Sequence, residues 1–237
     1  MYINIFKLFL LCFIVFSCQE KENNHRKKIF QKKLNTIYQS KDKRNISVND
    51  SITIEYLYKY KPYDYDTKLI NGYNLEFSYF RKHIDSVIEM CLTLKKKKKI
   101  IDTLNIMGYE APHKNLGYIG ADFDKYFAFV NSYGSGNPHE YRLIKKTDGK
   151  TLKTGFIIDS YKNPDFLLYA KGSDSIMLYD IEKEKDILIE NLSKSKEIDG
   201  LVSNLCDILK IKKVTNNYIQ IDIQNYDKKK ITKKYYR

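Results

Sequence analysis

Tryptophan does not occur in this 237-residue chain, and proline (four), glycine (ten), cysteine (four) and histidine (four) are scarce. Each shortage removes a class of chemistry. The cysteines, at 12, 18, 91 and 206, form no CxxC pair, which excludes cysteine-based metal chemistry. The glycines form neither Gly-x-Gly-x-x-Gly nor a Walker loop with its lysine, so the phosphate cradles of nucleotide-binding proteins are missing. No serine sits in a Gly-x-Ser-x-Gly elbow, and with His25 in the N-terminal segment only His83, His113 and His139 are left for a triad. The oxygen-ligand spacing of a calcium loop is absent too. The sequence therefore implies no catalytic residue, no metal and no cofactor. The apolar run Leu8 to Phe16 falls well short of the ~20 residues that cross a bilayer.

Tyrosine (21 residues) and lysine are abundant, and 42 Lys and Arg against 29 Asp and Glu give a net charge of +13. An excess of Lys, Asn, Ile and Tyr is what AT-rich coding produces, so position carries more information than composition. One early cation, Lys7, then the apolar run, then the small residue Ser17 before Cys18 has the layout of an export signal, residues 1–17.

Val15-Phe16-Ser17-Cys18 resembles the lipobox of bacterial lipoproteins, with an aliphatic residue three before the cysteine and a small one directly before it; Phe16 is bulkier than that family usually carries. The resemblance implies cleavage after Ser17 and a lipid on Cys18, which would hold the chain on the cell envelope by two or more acyl chains, at the outer or inner membrane and facing periplasm or surface. Cys12 would leave with the signal, so that Cys91 and Cys206 remain, either as one disulfide or as two free thiols. Residues 18–50 read as a tether. Between Lys21 and Arg44 nine cations face two acids, a net +7, which favours an anionic membrane surface by about 1 kcal/mol per cation. No nucleic-acid partner is expected of an exported chain. Ile29, Phe30, Leu34 and Ile37 recur at helical spacing, compatible with a short helix over 26–38.

Residues 51–237 read as a single β-rich domain. β-Branched and aromatic runs predict strands at 52–58, 75–80, 87–94, 126–130, 156–158, 166–169, 176–181, 186–189 and 218–223, with one short helix near 198–209. An apolar residue recurs nine positions after another with a lysine two before the second: Leu92 and Ile101, Leu143 and Leu152, Leu178 and Ile187, and at ten positions Ile221 and Ile231. Each copy predicts a hairpin, most clearly at Thr147-Asp-Gly-Lys150. The class is all-β: an antiparallel meander of three-stranded units that resembles the blade hairpins of bacterial propeller proteins, with a β-sandwich or open barrel as the alternative. Lys95 to Lys99 reads as a solvated turn.

Asp122, Asp124, Asn137, His139 and Glu140 are the candidate ligand-binding residues, because two carboxylates, a histidine and a glycine-rich loop surround one strand. The plainer alternative is that Asp122-Phe-Asp124 opens a strand and 134–138 is a hairpin loop. Asp50-Ser-Ile52, Asp85-Ser-Val87, Asp102-Thr-Leu104 and Asp174-Ser-Ile176 resemble the O-glycosylation acceptors of exported Bacteroidota proteins, or else mark where turns end and strands begin. Gln19-Glu-Lys-Glu22 resembles that group's acidic surface-export signal. The expected function is a noncatalytic, lipid-anchored module engaging an envelope glycan or protein. The alternatives are an envelope glycan hydrolase using Asp122, Asp124, His139 or Glu140, and an immunity lipoprotein.

Overall fold

The computed structural model describes residues 52–63, 67–83, 86–132, 139–198, 205–224 and 230–236. Cys18, the tether with its 26–38 segment, Asp50, Asp85 and the 134–138 loop with Asn137 lie outside them. All the strands belong to one compact unit, Ile54–Arg237.

Helix α1 (Ile54–Tyr60) leads into β1 (Thr67–Leu69), a 3-10 turn (Ile70–Gly72), β2 (Tyr73–Phe80), β3 (Glu89–Lys96) and β4 (Lys99–Gly108). A second 3-10 turn (His113–Leu116) precedes β5 (Tyr118–Asp122), β6 (Tyr126–Asn131), β7 (Glu140–Lys145), β8 (Thr151–Tyr161), β9 (Phe166–Lys171), β10 (Ser175–Asp180) and β11 (Lys185–Asn191). The short helix α2 (Leu205–Ile208) then runs directly into β12 (Leu209–Val214), followed by β13 (Tyr218–Gln224) and β14 (Lys230–Tyr236). The class is all-β, as the alternating runs predict. β1–β4 form one sheet, β5–β11 a second and β12–β14 a third, every neighbour antiparallel and next in sequence. The central seven strands run as one uninterrupted meander that curls into a half-barrel, so the repeat gives barrel and sandwich character rather than separate blades.

All four repeats are hairpins. Leu178 lies directly opposite Ile187, and Ile231 opposite Ile223. The Thr147–Lys150 turn places Gly149 at φ +71°, with Asp148 Oδ1 accepting the Lys150 N–H at 3.0 Å. The strand expected over 52–58 is instead α1. Its β-prone residues find no sheet neighbour: Leu57 alone is buried, and Tyr58 packs edge-on against Tyr79 at 5.1 Å while its hydroxyl accepts the Tyr79 N–H. The expected solvated turn at 95–99 also narrows. The turn is Lys97-Lys98, whereas Lys95 is buried and pairs with Glu76, because it still belongs to β3. Asp102-Thr-Leu104 falls within β4 rather than at a strand start, whereas Ser175 does open β10.

One face of the central sheet forms its own inner core, with Tyr126, Tyr141, Leu143, Leu167, Tyr169 and Tyr179 meeting across the curl. The other face is divided. Phe127, Phe129 and Ile144 pack on the N-terminal sheet through Leu75, Leu92 and Leu94. Further along, Phe166, Leu168, Ile176 and Leu178 pack on α2 and the C-terminal sheet through Leu205, Ile219, Ile221 and Ile223.

Candidate functional site

The candidate residues fall at opposite ends of β5. Asp122 ends that strand and forms an ion pair at 2.7 Å with Lys146, whose side chain is 1% exposed. Its other oxygen accepts the Ile70 N–H at 2.8 Å. Asp124, in the following turn, accepts from the Asn71 side-chain amide at 2.7 Å. Lys146 also donates to the Ile70 and Phe123 carbonyls. Together these contacts fasten the left-handed Asn71 turn (φ +66°) to the central sheet. Lys146, unremarked in the sequence, is the hub; a lysine next to Lys145 at a strand end carries no signal that it will be buried.

His139 and Glu140 stand at the other end. The His139 Nδ1 meets the Tyr118 hydroxyl, and its carbonyl accepts the Ile157 N–H at 2.9 Å. Glu140 opens β7 and is exposed. Tyr118 and Asp122 are four residues apart on an extended strand, about 13 Å at ~3.3 Å per residue. Asp122 and Asp124 therefore form one group and His139 and Glu140 another.

The polar side chains that do converge lie on the inner face of the curl. Asp186 accepts from Lys153 at 2.7 Å and from the Tyr169 hydroxyl at 2.9 Å, while the Lys153 ammonium sits 4.7 Å from the Tyr179 ring centroid. Glu184 in the β10–β11 turn accepts from Tyr126 at 2.8 Å and so links strands 58 residues apart at the seam of the curl. Beside that bond opens a cleft of about 360 Å³ lined by Asp124, Lys125, Tyr126, Asp165, Glu182 and Glu184. Burial raises the Tyr179 phenol to about 12, and burial plus the Asp186 hydrogen bond raises Tyr169 further. Both stay neutral at any physiological pH. Tyr169 acts as a hydrogen-bond donor and Tyr179 as a ring surface, neither as a base.

An aromatic cluster that the sequence did not reveal holds α1 to the N-terminal sheet. The Tyr79 hydroxyl donates to the Lys61 carbonyl at 2.9 Å and lies 3.0 Å from His113 Nε2, with the Tyr63 ring 4.3 Å from the imidazole. Because the phenol's one proton goes to Lys61, the imidazole must donate, which fixes its Nε2–H tautomer. Burial, helped by the Lys61 cation, lowers the His113 pKa. Cys91 is buried and Cys206 partly so; both are free thiols, and burial pushes Cys91 up to about 12. Among the described residues no three of His, Cys, Asp and Glu group as metal ligands. Comparison with protein-family models, curated proteins and solved structures returned no match.

Proposed function

We propose that this chain is an exported lipoprotein, anchored through Cys18 and tethered by its cationic 18–50 segment, whose β domain is a noncatalytic binding module at the cell envelope. One observation carries the noncatalytic part: both oxygens of Asp122 are engaged, one by Lys146 and one by the Ile70 N–H, and Asp124 Oδ1 is held by Asn71, so the pair is built into fastening the Ile70–Gly72 turn. A general acid or base must have a free oxygen within hydrogen-bond reach of its substrate. The phenols of the inner face are neutral, and a ligand meets the domain through exposed Tyr, Lys and Gln side chains. The anchor rests on the resemblance of Val15-Phe16-Ser17-Cys18 to a lipobox.

Two measurements test the two parts. Cells labelled with an alkyne fatty acid incorporate it into the wild-type chain and not into Cys18→Ser; equal labelling removes the anchor. Turnover of an envelope glycan by the purified chain, abolished in a folded Asp124→Asn variant, would establish the hydrolase instead.

A further inference from the structure

β13 and β14 alternate cleanly, with Ile219, Ile221 and Ile223 buried and the side chains between them facing outward, while β12 carries a bulge between Ile211 and Lys213 that leaves Lys212 and Lys213 both exposed. That outer face carries five exposed lysines: Lys210, Lys212 and Lys213 from β12, Lys230 and Lys234 from β14. Register lines up Lys213, Gln220 and Lys234 in one row across the three strands, and Tyr218 with Tyr236 in the next. The Lys234 ammonium lies 3.9 Å from the Tyr218 ring centroid and 5.2 Å from that of Tyr236, which is 77% exposed. Neighbouring strands stand ~4.8 Å apart, so the row is about 10 Å wide.

Among the described residues the face has one carboxylate of its own, Asp222, and it is already shared. Lys230 approaches it at 3.0 Å and Lys212 at 3.5 Å, while Thr232 donates to it at 2.6 Å. Lys210 reaches Asp159 at 4.0 Å. Among the described residues no carboxylate pairs with Lys213 or Lys234, the two cations flanking the tyrosines. Edge strands use charges to block strand addition, and β12 and β14 are edges. Lysines alone would serve that protection, but the two tyrosine rings standing among them are beyond it.

We propose that the outer face of the C-terminal sheet binds an anionic polysaccharide, with Tyr218 and Tyr236 packing on sugar rings and Lys213 and Lys234 pairing with its acidic groups. Charge complementarity selects an anionic occupant. The outward Gln220, Gln224 and Thr232 offer hydrogen bonds to sugar hydroxyls, and the strands' aliphatic residues turn inward, which disfavours insertion into lipid. An open row of repeated contacts suits an extended polymer better than a small molecule, which needs an enclosing pocket. The inference rests on the binding-module reading and is independent of Cys18.

The test uses the chain from residue 19, lacking Cys18 and its lipid, titrated with polygalacturonate and with neutral dextran at constant salt. Expected results are binding of polygalacturonate alone, weakening as salt rises; at least tenfold weaker binding by Lys213→Gln/Lys234→Gln; and several-fold weaker binding by Tyr236→Ser at unchanged melting temperature. Substituting Arg26, Lys27 and Lys28 by Gln in the tether leaves the affinity within twofold. Dextran binding as tight as polygalacturonate, wild-type affinity in the double variant, loss of binding in the tether variant alone, or tighter binding of phosphatidylglycerol vesicles or duplex DNA would each overturn the assignment. None of these outcomes touches lipidation or capture of a protein partner, which fatty-acid labelling and crosslinking to envelopes read separately.

Discussion

Gly155 shows at one position how the central sheet can curl. A Cβ there would lie 2.7 Å from Tyr169 Cδ2, 3.0 Å from the Ala170 carbonyl oxygen and 3.2 Å from Tyr141 Cε1, so two large rings close over a residue that has no side chain. The carbonyl is backbone and cannot swing away. Gly155→Ala should therefore cost about 1–3 kcal/mol, the usual range for overpacking, seen as a lower denaturant midpoint with an unchanged slope. Lys146 makes the complementary case for charge. Its ammonium is buried against Asp122, and removing one partner of a buried pair typically costs about 3–5 kcal/mol. Lys146→Met should lose much of that, and Lys146→Met/Asp122→Asn should recover part, because the second change removes the stranded carboxylate. If the double variant is no more stable than the single, the pair does not hold the Ile70–Gly72 turn.

At the scale of elements, α1 is held by rings and one histidine rather than by a long apolar stripe. The folded state disfavours the His113 imidazolium, through burial first and Lys61 second, so the unfolded chain binds protons more tightly. That contribution to stability is complete above pH 6.5, the ordinary histidine value, and is lost as pH falls below it through the lowered folded pKa. Melting temperature should accordingly drop on acidification below pH 6.5, and His113→Gln should flatten the drop; an identical acid response in the variant would acquit the residue. The same helix marks the limit of what the sequence discloses. Strand period, hairpin spacing and the Asp148-Gly149 turn are local, so Leu178 could be placed near Ile187 from spacing alone. Ile54–Tyr60 has strand-like composition and becomes helical because Leu57 and Tyr58 dock on a sheet that local sequence cannot anticipate. The candidate residues divide into two groups for a related reason: an extended strand carries Asp122 and the neighbourhood of His139 apart, and the partners of Asp122 and Asp124, Lys146 and Asn71, are distant in sequence.

For the whole molecule, the central sheet is the shared wall of every core. Its outer face supports the N-terminal sheet through Phe127 and Phe129 and the C-terminal sheet through Phe166, Leu168 and Leu178, while its inner face is sealed at the seam by Tyr126 and Glu184. Each outer sheet buries its main apolar face on the central sheet, and a sheet of three or four strands needs such a buried face for stability. Loss of the C-terminal sheet would uncover Ile176, Leu178 and Ala170, all at 0% exposure, and leave an apolar wall in water. A chain truncated after residue 204 should therefore bind a hydrophobic dye and aggregate rather than fold as a smaller domain. The intact chain should unfold in one step, with tyrosine near-ultraviolet signal and amide circular dichroism falling together, since both outer cores share one sheet. Were the C-terminal sheet an independent module, the two signals would separate and the truncated chain would keep a cooperative transition. The polysaccharide face would then ride on a detachable element, whereas a single transition makes its row of Lys213, Gln220 and Lys234 as rigid as the central sheet behind it.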